Sequence, residues 1–239
     1  MNIAIIPARY SSTRFEGKPL VMIGDMTMIE RTYRQALKVF EEVYVATDDE
    51  RIAEVVRAFS GNVIMTSTDH PSGTDRVAEA VSKLPFTPKI VVNVQGDEPF
   101  IAPESLQLLL DLFDDEKCQI ATLVQEVNPS QEDPQNPNMV KAVVSQSGYA
   151  LYFSRAAVPF ARESKSTFLK HIGLYGYRYD TLFEICKLKP SLLENTEKLE
   201  QLRWLEADYK VKTAVSTYPC YGIDTPEDLE NVIKGTYKN

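Results

Sequence analysis

The sequence contains no long apolar run, and this absence excludes a membrane-spanning protein of the helical kind. No stretch approaches the roughly 20 apolar residues that a membrane-spanning helix needs. The short apolar run at the N-terminus ends at Pro7, and no charged segment precedes it, so we predict no secretory signal peptide. We therefore expect a cytoplasmic protein without a membrane partner.

Cysteine and net positive charge are also scarce. Cys118, Cys186 and Cys220 lie far apart and lack metal-ligand spacing, which is typical of reduced thiols in the cytosol. With 26 basic and 34 acidic residues, the formal net charge is −8. Because non-specific nucleic-acid binding requires a basic face, we expect no nucleic-acid partner.

Two glycine-rich phosphate-binding motifs are missing as well. The loop after the first predicted strand contains neither the three spaced glycines of a dinucleotide-binding turn nor the Gly-Lys-Ser/Thr ending of a P-loop. These absences argue against an NAD-dependent enzyme and against a P-loop ATPase.

Short apolar segments alternate with amphipathic segments over the first half of the chain. Helices are predicted after strands, with strands at 2–6, 42–47, 62–65 and 90–94 and helices at 27–40, 49–59, 74–84 and 103–113. This alternation predicts an α/β fold with a mostly parallel sheet and right-handed crossovers.

The pattern changes after about residue 118. Predicted strands at 120–126, 140–144 and 149–154 follow one another with little helix between them, and 128–138 is a proline-containing loop. We therefore expect a single domain, 1–239, with an antiparallel β-arm or subdomain inserted at about 120–180. The remaining predicted elements are strands at 173–177 and 212–216 and helices at 179–187, 197–207 and 226–236.

The loop after the first strand carries three cations, Arg9, Arg14 and Lys18, among small and hydroxyl residues. Open α/β sheets bind ligands beyond the carboxyl ends of their strands. The N–H groups and cations of such a loop suit phosphate oxygens. A solvated basic loop is the alternative, and the position after a buried strand favours the phosphate site.

A second polar segment follows the third long strand. Ser72 and Gly73 are typical of a helix start, whose free N–H groups suit the polar edge of a base or an anion. Arg76, near the first turn of this helix, adds a guanidinium group that can donate several hydrogen bonds to the same ligand. From the residues alone, simple helix capping with an exposed arginine is the alternative.

Two carboxylates are candidate ligands of a magnesium ion. Asp97 follows the buried strand at 90–94, a common way to present oxygen ligands to Mg²⁺. Asp224 comes before Thr225 and Pro226, a pattern that is equally typical of a helix entrance capped by Thr225. From the residues alone, the role of Asp224 stays open.

Taken in order, these segments resemble the 3-deoxy-manno-octulosonate (Kdo) cytidylyltransferases, the CMP-Kdo synthetase family. The matching segments, with the number of their first residue, are Pro-Ala-Arg-Tyr at 7, Ser-Gly-Thr-Asp-Arg at 72, Val-Gln-Gly-Asp-Glu-Pro at 94, Ala-Leu-Tyr-Phe-Ser-Arg at 150, Lys-His-Ile-Gly-Leu-Tyr-Gly-Tyr-Arg at 170, Glu-Lys-Leu-Glu-Gln-Leu-Arg at 197 and Gly-Ile-Asp-Thr-Pro-Glu-Asp-Leu at 222. The resemblance implies a Rossmann-like three-layer nucleotide-diphospho-sugar transferase fold and a homodimer.

The same resemblance implies an activity and residue roles. It implies transfer of a cytidylyl group from CTP to Kdo, with release of pyrophosphate, for lipopolysaccharide biosynthesis. Asp97 and Asp224 would share Mg²⁺, and the implied catalytic set also contains Arg9 and Lys18. The implied nucleotide-binding residues are Pro7, Ala8, Arg9, Lys18, Ser72, Gly73 and Arg76. The implied sugar-binding residues are Arg14, Gln95, Arg155, His171, Tyr175, Glu200 and Gln201.

Two departures from the family pattern leave alternatives open. Glu16 stands where many members have proline, and we expect it to face solvent because an acid beside a triphosphate is unfavourable. The segment 161–167 is shorter than in some relatives, so the 8-amino analogue of Kdo, a sialic acid or another sugar acid are alternative acceptors. A non-catalytic nucleotide-binding regulator is the alternative from another class, and two intact metal-binding acids argue against it.

Overall fold

The computed structural model describes residues 1–11, 15–162 and 167–234. The chain forms two compact units, which we call the N-terminal unit (1–106 together with the segment from 218 onwards) and the central unit (107–217). The insertion expected at about 120–180 lies within the central unit, which extends further at both ends. That the whole chain behaves as a single domain stays a prediction.

Parallel strands form the sheet of the N-terminal unit. The first six strands of the chain are β1 (Asn2–Ala8), β2 (Met22–Ile23), β3 (Met26–Thr27), β4 (Glu42–Thr47), β5 (Asn62–Met65) and β6 (Ile90–Asn93). Strand β1 lies between β4 and β6, β5 pairs with β4, and all three pairings are parallel. Strands β2 and β3 form a short hairpin. The parallel sheet predicted from the strand–helix alternation is therefore confirmed.

The helices between these strands begin where capping side chains allow it. They are α1 (Met28–Ala36), α2 (Glu50–Ala58), α3 (Gly73–Ser82) and α4 (Pro103–Asp111). Side-chain oxygens of Thr27, Asp49 and Ser72 accept hydrogen bonds from backbone N–H groups in the first turns of α1, α2 and α3. These bonds satisfy donors that a helix N-terminus otherwise leaves unpaired.

Burial of β1 explains where its loop must go. Ile3, Ala4, Ile5 and Ile6 are each 0% exposed, so side chains pointing to both faces of this strand are covered. Parallel strands with both faces covered have continuous apolar runs of this kind. The polar residues that follow the strand are therefore held at the carboxyl edge of the sheet.

The central unit is mostly antiparallel, as predicted for the insertion. Its strands are β7 (Ile120–Val127), β8 (Lys141–Val144), β9 (Ala150–Ser154), β10 (Phe168–Arg178) and β11 (Val211–Val215). Strand β10 pairs antiparallel with β7 and β8, β8 pairs with β9, and β11 joins β7 in parallel. Strand β10 begins earlier than predicted, because Lys170 and His171 interrupt the apolar pattern without interrupting the strand.

Among the last four helices, the structure differs from one prediction. They are α5 (Tyr179–Ile185), α6 (Leu192–Glu197), α7 (Gln201–Glu206) and α8 (Pro226–Ile233). The single helix predicted at 197–207 is wrong, because Lys198 takes a left-handed conformation with φ 53° and ends α6. Glu197 thus lies at the end of one helix, not at the start of another. No helix in the described ranges is long and apolar enough to cross a membrane.

Candidate active site

A cavity of about 470 Å³ lies in the N-terminal unit at the carboxyl ends of β1 and β6. Its wall includes residues from both loops that the sequence singled out and from the start of α3. The lining residues are Pro7, Ala8, Arg9, Ser11, Lys18, Pro19, Gly73, Gln95, Gly96 and Asp97. Most of the predicted nucleotide-binding residues are thus brought together.

Lys18 lies between the two predicted metal ligands. Its Nζ donates hydrogen bonds to Asp97 Oδ2 at 2.7 Å and to Asp224 Oδ1 at 3.1 Å. Burial lowers the pKa of Lys18, but the two carboxylates outweigh this effect and raise the pKa above its ordinary value. Two acids that are far apart in sequence therefore share one cation in the folded chain.

Backbone and core contacts hold Asp224 beside Asp97. The N–H of Ile223 donates to the carbonyl oxygen of Asp97 at 2.9 Å. The side chain of Ile223 is fully buried in a cluster with Ile23 and Met28. The position of Asp224 is thus set by its neighbour Ile223, a residue that the sequence did not single out.

Thr225 caps α8, as the helix-entrance interpretation predicts. Its Oγ1 accepts a hydrogen bond from the N–H of Asp228 at 3.2 Å, and the Asp228 carboxylate accepts from the N–H of Thr225 at 2.9 Å. This capping box leaves the side chain of Asp224 directed at Lys18. The helix-entrance interpretation is therefore confirmed. It is compatible with a metal-binding role for Asp224, because the cap and the candidate ligand are different residues, and that role stays a prediction.

Gly96 permits the loop after β6 to approach the end of β1. A Cβ atom at this position would lie 3.2 Å from the carbonyl oxygen of Pro7. The carbonyl oxygen of Gly96 also lies 3.4 Å from Thr32 Oγ1 on α1. The close approach brings the Asp97 loop and the Arg9 loop to one wall of the cavity.

Glu79 on α3 organises the segment before that helix. Its carboxylate contacts His70 Nε2, accepts from the N–H of Ser67 at 2.8 Å, and pairs with Lys83 at 2.7 Å. Burial raises the pKa of Glu79, but the hydrogen bonds from Lys83, His70 and Ser67 outweigh it and lower the pKa to about 2. Arg9 Nη2 in turn donates to the carbonyl oxygen of His70 at 2.6 Å. Glu79 was not predicted as a residue of the site. The sequence signal that could have indicated it is its spacing of four residues from Lys83, which is typical of an ion pair on a helix.

Ser72 caps α3, as its position at a helix start predicts, whereas Arg76 is buried and so differs from the exposed arginine of the capping alternative. Arg76 is 0% exposed, and its fork donates to Thr66 Oγ1 at 2.6 Å and to Asp48 Oδ2 at 2.8 Å. The hydroxyl of Ser72 bonds to the carboxylate of Asp75 at 2.7 Å while also capping α3. Arg76 therefore ties the ends of β4 and β5 to α3, and direct contact with a base stays a prediction.

The loop between Arg9 and Lys18 is closed by a backbone hydrogen bond. The N–H of Gly17, which has a φ of 66°, donates to the carbonyl oxygen of Tyr10 at 2.9 Å. Glu16 is exposed, so the expectation that it faces solvent is confirmed. Arg14 lies outside the described residues, as does most of the segment 161–167.

His171 lies in the central unit as a neutral imidazole. Burial lowers its pKa to about 3. Its Nε2 lies 3.2 Å from Thr122 Oγ1, whose hydroxyl also lies 2.8 Å from the carbonyl oxygen of Leu174. Because the single hydroxyl proton goes to a carbonyl, Nε2 is the donor to Thr122 and Nδ1 is left as an acceptor. Thr122 is a second residue that the sequence did not single out.

Tyr175 is buried in the same unit and packs edge-on against Trp204, with ring centroids 5.1 Å apart. Its hydroxyl makes no hydrogen bond of normal geometry within the described structure. Burial, together with Tyr177 and Glu200, raises the pKa of Tyr175 well above its ordinary value. Gln201, the first residue of α7, is also buried.

Arg155, one of the implied sugar-binding residues, donates its side-chain hydrogen bonds to backbone carbonyl oxygens. Its Nε donates to the carbonyl oxygen of Glu197 at 2.7 Å, Nη1 to that of Pro137 at 2.9 Å, and Nη2 to that of Lys198 at 3.4 Å. The Glu197 carboxylate in turn accepts from the N–H of Arg155 at 2.9 Å. Arg155 therefore joins two chain segments of the central unit, and its contact with a sugar acid stays a prediction.

A magnesium ion fits the chemistry of the Asp97 and Asp224 pair. Both carboxylates already direct oxygens at one cation, the ammonium group of Lys18. In the described ranges, no group of three or more His, Cys, Asp or Glu side chains is arranged to hold a metal ion. Two carboxylates with substrate phosphates as the other ligands is the usual arrangement for Mg²⁺.

Comparisons with known proteins match most of the chain to cytidylyltransferases. A family model described as "Cytidylyltransferase" matches residues 3–213. The 3-deoxy-manno-octulosonate cytidylyltransferase of Bacteroides thetaiotaomicron is 49% identical, over 96% of this chain and 95% of the relative. The enzyme of the same name from Phocaeicola vulgatus is 50% identical, over 95% and 94% of the two chains.

A solved structure also matches the chain over nearly its full length. The structure of CMP:2-keto-3-deoxy-manno-octonic acid synthetase complexed with CTP superposes with a TM-score of 0.92 at 41% identity, covering 98% of each chain. A similarity of this extent includes both units and all the segments on which the predicted site depends. The chain belongs to the 3-deoxy-manno-octulosonate cytidylyltransferase family.

Proposed function

We propose that this protein activates Kdo with CTP, giving CMP-Kdo and pyrophosphate. The observation that carries the proposal is the meeting of Arg9, Lys18 and Asp97 in one cavity, with Asp224 on the same lysine. That cavity belongs to a chain about half identical, over nearly its full length, to enzymes named for this reaction.

The nucleotide lies, in this proposal, at the carboxyl ends of β1 and β6. Arg9 is exposed and Lys18 has a raised pKa, so both are cations available to the phosphates of CTP. Pro7, Ala8 and Gly73 contribute the surrounding wall. Ser72 and Arg76 act by holding the start of α3 in place.

The reaction is a displacement at the α-phosphorus of CTP. The anomeric hydroxyl oxygen of Kdo forms the new bond to phosphorus, the bond to the bridging oxygen of the β-phosphate breaks, and the hydroxyl proton passes to solvent. Phosphoryl chemistry of this kind depends mainly on positioning and on stabilising charge. Arg9 and Lys18 would neutralise the charge that develops on the pyrophosphate.

We also propose Mg²⁺ as the cofactor, held by Asp97 and Asp224. When bound, the ion supplies Lewis-acid stabilisation of phosphate charge and lowers the pKa of a coordinated hydroxyl. The proposal is supported by the two carboxylates that converge on one cation within the described chain.

The sugar acid is proposed to contact a set of polar residues. His171 offers hydrogen bonds and no charge, because it is neutral at physiological pH, and the Tyr175 hydroxyl is available for a further bond. The remaining members of the proposed set are Arg14, Gln95, Arg155, Glu200 and Gln201.

The oligomeric state and the cellular role are further parts of the proposal. We propose a homodimer in the cytoplasm that supplies CMP-Kdo to lipopolysaccharide biosynthesis. Light scattering after gel filtration gives the test of assembly, with a mass near 54 kDa for the dimer, about twice the 27.0 kDa of one chain. A single species at the mass of one chain would contradict the dimer.

Pyrophosphate release with a panel of acceptors tests the function. The protein is assayed with CTP, Mg²⁺ and equal concentrations of Kdo, the 8-amino analogue of Kdo and a sialic acid. We expect the highest kcat/KM with Kdo. A preference for either other sugar would reassign the acceptor, and no release with any of them would favour a nucleotide-binding regulator.

Two variants in the same assay test the metal ligands. Asp97→Ala and Asp224→Ala should each lower the rate about 10³-fold or more. Asp25→Ala is the matched control, because the Asp25 side chain is 81% exposed and lies outside the cavity lining. Turnover near that of the unchanged protein in either cavity variant would contradict the assignment.

A further inference from the structure

Lys18 has two assignments that one amino group cannot satisfy at the same time. Its Nζ lies 2.7 Å from Asp97 Oδ2 and 3.1 Å from Asp224 Oδ1, in the space between the two proposed metal ligands. The same Nζ is proposed to hold phosphates of CTP. An ammonium group between the carboxylates also repels a second cation there.

The side chain is built to exchange partners while its backbone stays fixed. Lys18 begins a 3₁₀ turn, Lys18–Leu20, directly after the left-handed Gly17, and the next residue, Pro19, is buried. The side chain itself is a flexible four-carbon stem that carries three N–H donors. Within the described residues, two of these donors serve the carboxylates, and a rotation of the stem turns the whole ammonium group toward a phosphate.

We propose that Lys18 is an internal substitute for the metal ion. In the nucleotide-free protein its ammonium group neutralises Asp97 and Asp224, and CTP draws it onto the phosphates, which frees the carboxylates for Mg²⁺. This inference rests on the proposed function, because it assumes that the cavity takes CTP and that these acids take the metal.

The exchange makes nucleotide and metal binding cooperative. Without nucleotide, an arriving metal ion must displace the Lys18 ammonium group, so its affinity is low. With nucleotide bound, the two carboxylates are released from the lysine and repel each other, so the metal binds more tightly. Linkage requires that the metal improves CTP binding by the same factor.

Manganese binding without nucleotide tests the proposal. The affinity for Mn²⁺, used as a probe for Mg²⁺, is measured by titration calorimetry on the unchanged protein and on Lys18→Met, Lys18→Arg and Lys38→Met. We expect Lys18→Met to bind Mn²⁺ about tenfold more tightly or better. Lys18→Arg retains the cation and should stay near the unchanged protein. Lys38 is exposed, so Lys38→Met serves as the matched control.

A second arm adds a CTP analogue with a non-cleavable α–β bridge. The analogue should tighten Mn²⁺ binding to the unchanged protein about tenfold or more, and should tighten binding to Lys18→Met by a smaller factor. Because the phosphates of the analogue also coordinate Mn²⁺, the smaller factor in a variant without the ammonium group is the result that reports the exchange. Lys18→Gln is a second such variant, and a factor equal to that of the unchanged protein would contradict the exchange.

The outcomes separate this inference from the proposed function. The proposal for Lys18 is wrong if the unchanged protein binds Mn²⁺ with the same affinity with and without the analogue. It is also wrong if Lys18→Met and Lys18→Arg bind Mn²⁺ with the same affinity. Pyrophosphate release by the unchanged protein is measured separately with CTP and Kdo. Absent release together with tight Mn²⁺ binding in Lys18→Met would reject the reaction and retain the exchange.

Discussion

Several charged side chains around the proposed nucleotide site are paired with one another. Lys18 holds two acids, the buried Arg76 holds Asp48, and Glu79 holds Lys83. Each pair lies at or next to the segments proposed to bind CTP. The charged groups around the proposed site therefore have protein partners of their own.

Glu79→Gln tests how the segment before α3 is held. The pKa of Glu79 in the folded protein, about 2, is lower than its ordinary value of 4.5. The carboxylate therefore adds stability above about pH 4.5, and this contribution is lost as the pH falls through about 2. We expect the unfolding free energies of the unchanged protein and Glu79→Gln to differ by about 1 kcal/mol at pH 5, because solvent screens the ion pair, and to converge by about pH 2.

Denaturant titrations over that pH range measure the difference. Glu54→Gln is the matched control, because Glu54 is exposed on α2 and its replacement should change stability by less than about 0.5 kcal/mol. A stability difference for Glu79→Gln that stays constant from about pH 5 to about pH 2 would show that the carboxylate charge is not the stabilising feature.

At the scale of elements, the turns after strands decide the shape of the cavity. Gly96→Ala places a Cβ 3.2 Å from the carbonyl oxygen of Pro7, a backbone atom in the middle of the site. The Asp97 loop must then move away from the end of β1. We expect a KM for CTP that is raised about twofold to threefold, because the contact displaces backbone of the site by a few tenths of an ångström.

Gly222→Ala is the control for that variant. Gly222 lies in the Asp224 segment, and a Cβ there would meet no atom within 4 Å. Initial rates at varied CTP should therefore place the KM of Gly222→Ala near that of the unchanged protein. Equal KM values for CTP in both alanine variants would show that the close approach at Gly96 does not shape the nucleotide site.

Local patterns predicted the regular elements well and the irregular ones poorly. The strands at 42–47 and 62–65 have the predicted bounds, because each is a β-rich run between polar turns. The break at Lys198 was missed, because α6 ends there at a residue in the left-handed conformation that is not a glycine. A lysine gives no local signal of a helix end of this kind.

At the scale of the whole molecule, CTP with Mg²⁺ should stabilise the protein against heat. A ligand that binds only the native state adds about 2.7 kcal/mol at 100 times its Kd. For a chain of 239 residues this corresponds to a rise in Tm of about 5–10 °C. Differential scanning fluorimetry measures the shift, and GTP with Mg²⁺ at the same concentration should give a smaller one. An equal shift with both nucleotides would contradict a site specific for the cytosine base.

The sequence by itself determined the fold class, the order of the functional segments and the identity of the candidate acids. Strand–helix alternation and strand-end polar residues are local properties, so they can be recognised without coordinates. The pairing of Asp97 with Asp224 was available only through resemblance, since 126 residues separate them and no local spacing relates them.

Only the tertiary structure decided which partners these residues take. It buried Arg76 against Asp48, directed the Arg155 fork to backbone carbonyls, and placed the Lys18 ammonium group between both acids. The physical reason is that a charged side chain takes whichever opposite charge or acceptor packing brings within reach, and packing joins segments that are distant in sequence. Residue type therefore indicates the chemistry that a side chain can perform, and the three-dimensional contacts determine where it is used.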